Sequence, residues 1–159
     1  MLELFTGADI LNMGIEAEVL GEAFYSGVAA QPTDKAISEA CTTLAADERG
    51  HARVLREMLS EWQGAREKLQ ADQETMDYVH ALLGRRLLPQ AQDAEALIRG
   101  AKGLPELLQI AAALEKDSIL FYYEMRDLVG RQSEAAVTRL IGEEKTHLAK
   151  VQRMAAELL

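Results

Sequence analysis

Glu48 and His51 stand three residues apart, and so do Glu144 and His147. At about 100° per residue on a helix, that spacing leaves the two side chains of each pair roughly 60° apart on one face. Each pair can therefore aim a carboxylate oxygen and an imidazole nitrogen at one point, which is what a metal ion needs from two ligands. The spacing is weak evidence by itself. Asp77 and His80 show an acid and a histidine at the same interval, in a stretch with no other sign of a site, and His80 is expected to have no metal role.

The pairs gain weight from what precedes them. Glu18 is followed by Phe24 and Tyr25, and Glu115 by Phe121 and Tyr122, in the same register; Leu11 and Leu108 stand seven residues before the two glutamates. Glu18 to Glu48 is 30 residues and Glu115 to Glu144 is 29, so the halves align with a single-residue change in a tight loop. In that alignment Thr42 meets Thr138, Leu44 meets Leu140 and Met58 meets Met154. The chain contains an internal repeat of a helical hairpin.

The elements that must position these residues follow from the apolar pattern. Leu11, Ile15, Leu20, Phe24 and Val28 recur at helical spacing from about Ala8 to Ala30, where Pro32 interrupts. Thr33 or Asp34 can cap a second helix carrying Ile37, Leu44, Val54, Leu55, Met58 and Trp62 as far as Gly64. About three residues join the two, which makes them antiparallel. Residues 65–104 read as a long crossover with one or two short helices, broken by Gly84, Pro89, Gly100 and Gly103. Pro105 suits the first turn of a third long helix that runs through Leu108, Ala112, Leu114, Ile119 and Phe121 to Gly130. Ser133 can cap a fourth, carrying Val137, Leu140, Leu148, Val151 and Met154 to Leu158. Two antiparallel hairpins joined by one long connection predict an all-α, ferritin-like four-helix bundle in a single domain over 1–159.

On those helices Glu18 shares the stripe of Leu11, Ile15 and Tyr25, and Glu115 that of Leu108, Ala112, Ile119 and Tyr122. Four carboxylates and two imidazoles then face the bundle interior at about one level. Buried without partners, such groups cost several kcal/mol each, and a pair of metal ions removes the cost. Oxygen-rich ligands with one imidazole per metal suit iron or manganese.

The segments from Glu18 to Tyr25, Asp47 to His51, Glu115 to Tyr123 and Glu143 to His147 resemble the rubrerythrin-like branch of the ferritin-like superfamily. That resemblance implies a two-iron centre, with manganese or zinc as substitutes. It implies Glu18, Glu48, His51, Glu115, Glu144 and His147 as the six ligands, Glu48 and Glu144 being the bridges. Tyr25 and Tyr122 are either core residues with satisfied hydroxyls or groups that bond ligand carboxylates and tune the iron. Asp47 and Glu143 are either surface charges or acceptors for the outward N–H of a metal-bound imidazole. Glu22, one turn beyond Glu18, is a candidate seventh ligand whose counterpart is the apolar Ile119, and Glu16 should face solvent. Rubrerythrins proper also carry a cysteine-rich rubredoxin domain and a further glutamate one turn after the third-helix ligand. This chain has Cys41 alone, expected to be buried and inert, and Ser118 at that position.

Composition narrows the functions. A formal charge of -9 and no large basic cluster argue against nucleic acid. A single cysteine excludes an internal disulfide and a paired-cysteine metal site, and no window is long and apolar enough for a membrane, so the cytoplasm is the expected compartment. The expected activity is reduction of hydrogen peroxide or oxygen with electrons from an external, rubredoxin-type donor, in a homodimer or larger homo-oligomer. The alternatives are a ferroxidase of ferritin type acting on Fe(II), and a bundle with a structural metal site and no turnover.

Overall fold

The structure, a computed structural model, describes residues 7–32, 34–62, 74, 77–78, 91–129 and 131–158. Five helices account for most of the described residues: α1 (Gly7–Ala29), α2 (Lys35–Trp62), α3 (Ala91–Gly100), α4 (Leu104–Leu128) and α5 (Arg131–Ala156). The long four are those the apolar periodicity predicts, and α3 is a short helix within the crossover expected over residues 65–104. His80, Thr33, Gly64, Gly84, Pro89 and Gly130 lie outside the described residues.

Helix ends follow local chemistry. Asp34 closes the start of α2, its Oδ1 accepting from the Ala36 backbone N–H at 2.8 Å. The Ser38 hydroxyl donates to the Ala29 carbonyl at 2.9 Å, tying the first turn of α2 to the last of α1. The connection spans residues 30–34 and so is longer than the three residues expected, because Asp34 stays outside the helix that it caps. Gly103 carries φ of 144°, a region closed to most side chains, and Pro105 then sits in the first turn of α4. Ser133 is not the cap of the fourth long helix. That helix starts at Arg131, so Ser133 already lies inside its first turn.

Within each hairpin the helices run antiparallel. Gly7 at the start of α1 lies against the Trp62 ring at the end of α2, where a Cβ would clash with the indole. In the second hairpin Leu107 and Leu108, early in α4, share a core with Val151 and Met154, late in α5.

The apolar interior falls into two clusters. One joins Phe24, Tyr25, Ile37 and Leu44 to Leu108, Val151 and Met154. The other joins Leu11, Leu55 and Met58 to Phe121, Tyr122, Val137 and Leu140. Every repeat-related pair splits between them: Phe24 with Phe121, Leu44 with Leu140, Met58 with Met154, Leu11 with Leu108. A pseudo-twofold relation therefore exchanges the two halves of the core, and residues unchanged in level by it must lie between them. The Leu44 side chain has no exposed surface. Leu44→Ala should cost the metal-free protein about 3 kcal/mol in urea unfolding, the usual price of a leucine-sized core cavity.

Candidate metal centre

Glu18 on α1, Glu48 and His51 on α2, Glu115 on α4, and Glu144 and His147 on α5 are the buried charged side chains of the described residues, none more than 5% exposed. Glu48, His51, Glu144 and His147 each present a ligand-type atom, all within 4.8 Å of one another. The two imidazoles stack at 5.3 Å, 18° from parallel, with both Nδ1 atoms turned to the carboxylates.

The contacts sort the four glutamates into two kinds. Glu48 lies 3.5 Å from His51 Nδ1 and 3.3 Å from His147 Nδ1. Glu144 lies 2.8 Å and 3.4 Å from the same two atoms. Glu18 faces His51 alone, at 3.3 Å, and Glu115 faces His147 alone, at 3.8 Å.

The surrounding residues cross between hairpins. Tyr25 on α1 donates its hydroxyl to Glu115 Oε1 on α4, and Tyr122 on α4 donates to Glu18 Oε1 on α1. Each outer glutamate thus gives one oxygen to a tyrosine and turns Oε2 to a histidine. His51 Nε2 meets Glu143 Oε2 at 2.7 Å, and His147 Nε2 faces Asp47 Oδ2 at 3.4 Å. An imidazole that donates from Nε2 keeps a lone pair on Nδ1, the atom facing the cluster.

The residues fit a pair of metal ions on two grounds. Glu18 Oε2, both oxygens of Glu144 and both histidine Nδ1 atoms are buried without a hydrogen bond, although they lie close together. Such orphaned atoms are costly unless something binds them. The spacings near 3 Å are those of neighbouring ligands around one ion, since bonds of roughly 2.1 Å at right angles separate ligand atoms by about 3.0 Å.

The second ground is charge. Burial, then the charges of Glu48 and Glu144, push Glu18 well above the usual carboxylate range. Burial and the Glu48 charge push Glu115 up to about 10. Burial also works to raise Glu48 and Glu144, but the groups close to them outweigh it and lower both: Glu18 and the two imidazoles at Glu48, and mainly the two imidazoles at Glu144. Burial alone would lower the imidazoles; Glu144 and Glu48 override it, with Glu18 adding at His51, raising His51 strongly and His147 to about 10. In direction, protons gather on the two imidazoles and the two outer acids while Glu48 and Glu144 stay carboxylates, which moves the metal-free set towards neutrality. Four carboxylates, two neutral imidazoles and two divalent cations sum to zero. Protons and metal ions are alternative ways of making this cluster burial-compatible.

The rubrerythrin family profile matches residues 9–155. The chain belongs to the rubrerythrin family. A crystal structure described as that of a ferritin-like diiron-carboxylate protein from Thermotoga maritima is 30% identical, with a TM-score of 0.77 over 100% of both chains. No curated protein matches the sequence. Among the described residues, no helix of this rubrerythrin-family chain is long and apolar enough to cross a membrane.

Other expectations meet the structure individually. Glu22 does not turn to the cluster: its Oε1 accepts from Arg49 Nε at 2.7 Å on the rim of the α1–α2 hairpin. No spacing rule links Arg49 to Glu22, 27 residues away, and the apolar Ile119 at the repeat-related position is the sequence signal that Glu22 has another partner. Glu16 is exposed. Cys41 is buried, and its burial pushes the thiol up to about 11, so it stays protonated and unreactive. Nothing in the helix pattern marks Gly21, where a Cβ would come within 3.3 Å of the Glu48 carboxylate carbon.

Proposed function

We propose that this chain is a single-domain di-iron oxidoreductase that reduces hydrogen peroxide or oxygen with electrons from a separate, rubredoxin-type donor protein. The observation that carries the reading is the division of the glutamates: two face both histidines and two face one each. On that division Glu18, Glu48, His51 and Glu144 hold one iron. Glu115, Glu144, His147 and Glu48 hold the other, with Glu48 and Glu144 shared. The family match across nearly the whole chain supports one domain.

Iron held there as a ferrous pair would supply the two electrons that, with two protons, reduce one peroxide to two waters. The protein residues hold geometry and charge for this exchange. Tyr25 and Tyr122 fix the outer carboxylates by their Oε1 atoms, and Glu143 and Asp47 fix the imidazoles from behind. The two apolar clusters on either side keep bulk water from the buried charges.

Anaerobic reconstitution should give two irons per chain. Ferrous protein should be oxidised faster by peroxide than by air, with a visible band from the ferric pair, and should stop after one two-electron event unless a donor is supplied. Elemental analysis showing one iron or none would sink the reading. Iron bound with no spectral response to peroxide would favour a non-catalytic metal bundle.

A further inference from the structure

A small cavity, about 20 Å³, opens between α1 and α4. Ala17 and Gly21 on α1 and Leu114 and Ser118 on α4, all partly exposed, line it together with the buried Glu48 and Glu115. Its volume is that of roughly one water molecule. Gly21 and Ser118 each stand three residues after an outer glutamate, so the repeat relates them and the cavity lies across the pseudo-twofold relation. Their size matters. A Cβ on Gly21 would come within 3.3 Å of Glu48 Cγ and Cδ and narrow the space beside that carboxylate. On the opposite side of the centre, Glu143 and Asp47 stand behind the imidazoles and the rings themselves are stacked.

We infer that this cavity is the path by which oxidant reaches the centre, with Gly21 leaving room beside the Glu48 carboxylate and the Ser118 side chain setting the largest oxidant that passes. The substrate class is then dioxygen and hydrogen peroxide, two heavy atoms each, and excludes branched organic hydroperoxides. This rests on the di-iron reading above, whose failure shows separately. In the step concerned, one peroxide gains two electrons from two ferrous ions and two protons, its O–O bond breaks, and two waters form.

The test uses ferrous-loaded full-length protein with iron content measured in every sample. Hydrogen peroxide should oxidise the wild type at least tenfold faster than tert-butyl hydroperoxide does. Ser118→Leu, which plugs the path, should retain two irons yet slow hydrogen peroxide tenfold or more. It should also weaken azide binding to the ferric protein by a similar factor, read from the visible band that azide produces. Oxidation by ferricyanide, which needs only electron transfer from outside, should change less than twofold. Ser118→Gly should work in reverse, narrowing the gap between the two peroxides. Equal wild-type rates with both peroxides, or a Ser118→Leu protein with two irons and unchanged peroxide and azide behaviour, would overturn the path while leaving the di-iron reading intact. A wild type that binds no iron, or whose iron ignores every oxidant, would overturn both.

Discussion

Alanine at Glu48 or at Glu144 is expected to empty the site, taking iron from two per chain to near zero, whereas alanine at His51 or His147 should leave about one. Each of the two shared carboxylates lies within 3.5 Å of both histidine Nδ1 atoms, so removing it strips a ligand from both ions at once. It also leaves an imbalance: three carboxylates cannot neutralise two divalent cations in a buried space, and uncompensated buried charge is costly. A histidine serves one ion only, and its loss leaves the other ion's ligands in place. The same contrast should appear in thermal unfolding, because metal bound to the native state alone stabilises by mass action. Iron should raise the unfolding midpoint of the wild type strongly, that of the histidine variants less, and that of the Glu48 and Glu144 variants not at all. Variants at all four positions that kept a full pair of irons would refute the assignment.

Why so much of this was legible from sequence comes down to two periods. A helix repeats its face every three to four residues, so Glu48 with His51 and Glu144 with His147 declare a shared direction without any tertiary knowledge. A duplicated hairpin repeats its whole pattern, and Phe24-Tyr25 against Phe121-Tyr122 fixes which half aligns with which. What stayed hidden depends on the angle at which one hairpin meets the other. Asp47 and Glu143 were visible as acids beside Glu48 and Glu144, but it takes the bundle to show that each serves the histidine of the opposite hairpin. The tyrosines exchange partners in the same way. Ser133 misled because Ser is a good cap by type, while α5 starts two residues earlier at Arg131. Glu22 pointed to the site by its spacing from Glu18, yet it pairs with Arg49. The cavity between α1 and α4 is a property of packing that no single helix pattern encodes.

Loading the pair of divalent ions at neutral pH should release about four protons per chain. Before loading, Glu18 and Glu115 hold protons because burial and neighbouring carboxylates raise them, and His51 and His147 hold protons because the carboxylates around Nδ1 raise them. A metal-bound carboxylate or Nδ1 cannot keep its proton, so all four leave. Metal affinity must therefore climb steeply as pH rises, up to four powers of ten per pH unit for the pair, and collapse in acid. The stability of the metal-free protein runs the other way on these groups. Glu115 and His147 have folded pKa values raised to about 10, from ordinary values of 4.5 and 6.5. Their stabilising contribution is complete below the ordinary value and is lost as pH rises towards 10. Glu48 and Glu144 are lowered, so theirs is present above 4.5 and is lost as pH falls further. On these groups metal-free protein should then be most stable near pH 4.5 and weaken as pH rises towards 10, more steeply above 6.5 where the histidines join the acids, the range in which the metal-loaded form gains most over it. Calorimetric metal titration in buffers of differing ionisation enthalpy counts the protons directly, and chelated and loaded samples unfolded across pH 5 to 10 give the two opposing trends. Release of fewer than two protons, or parallel pH trends in the two forms, would mean that the cluster is not charge-balanced by protons when metal is absent.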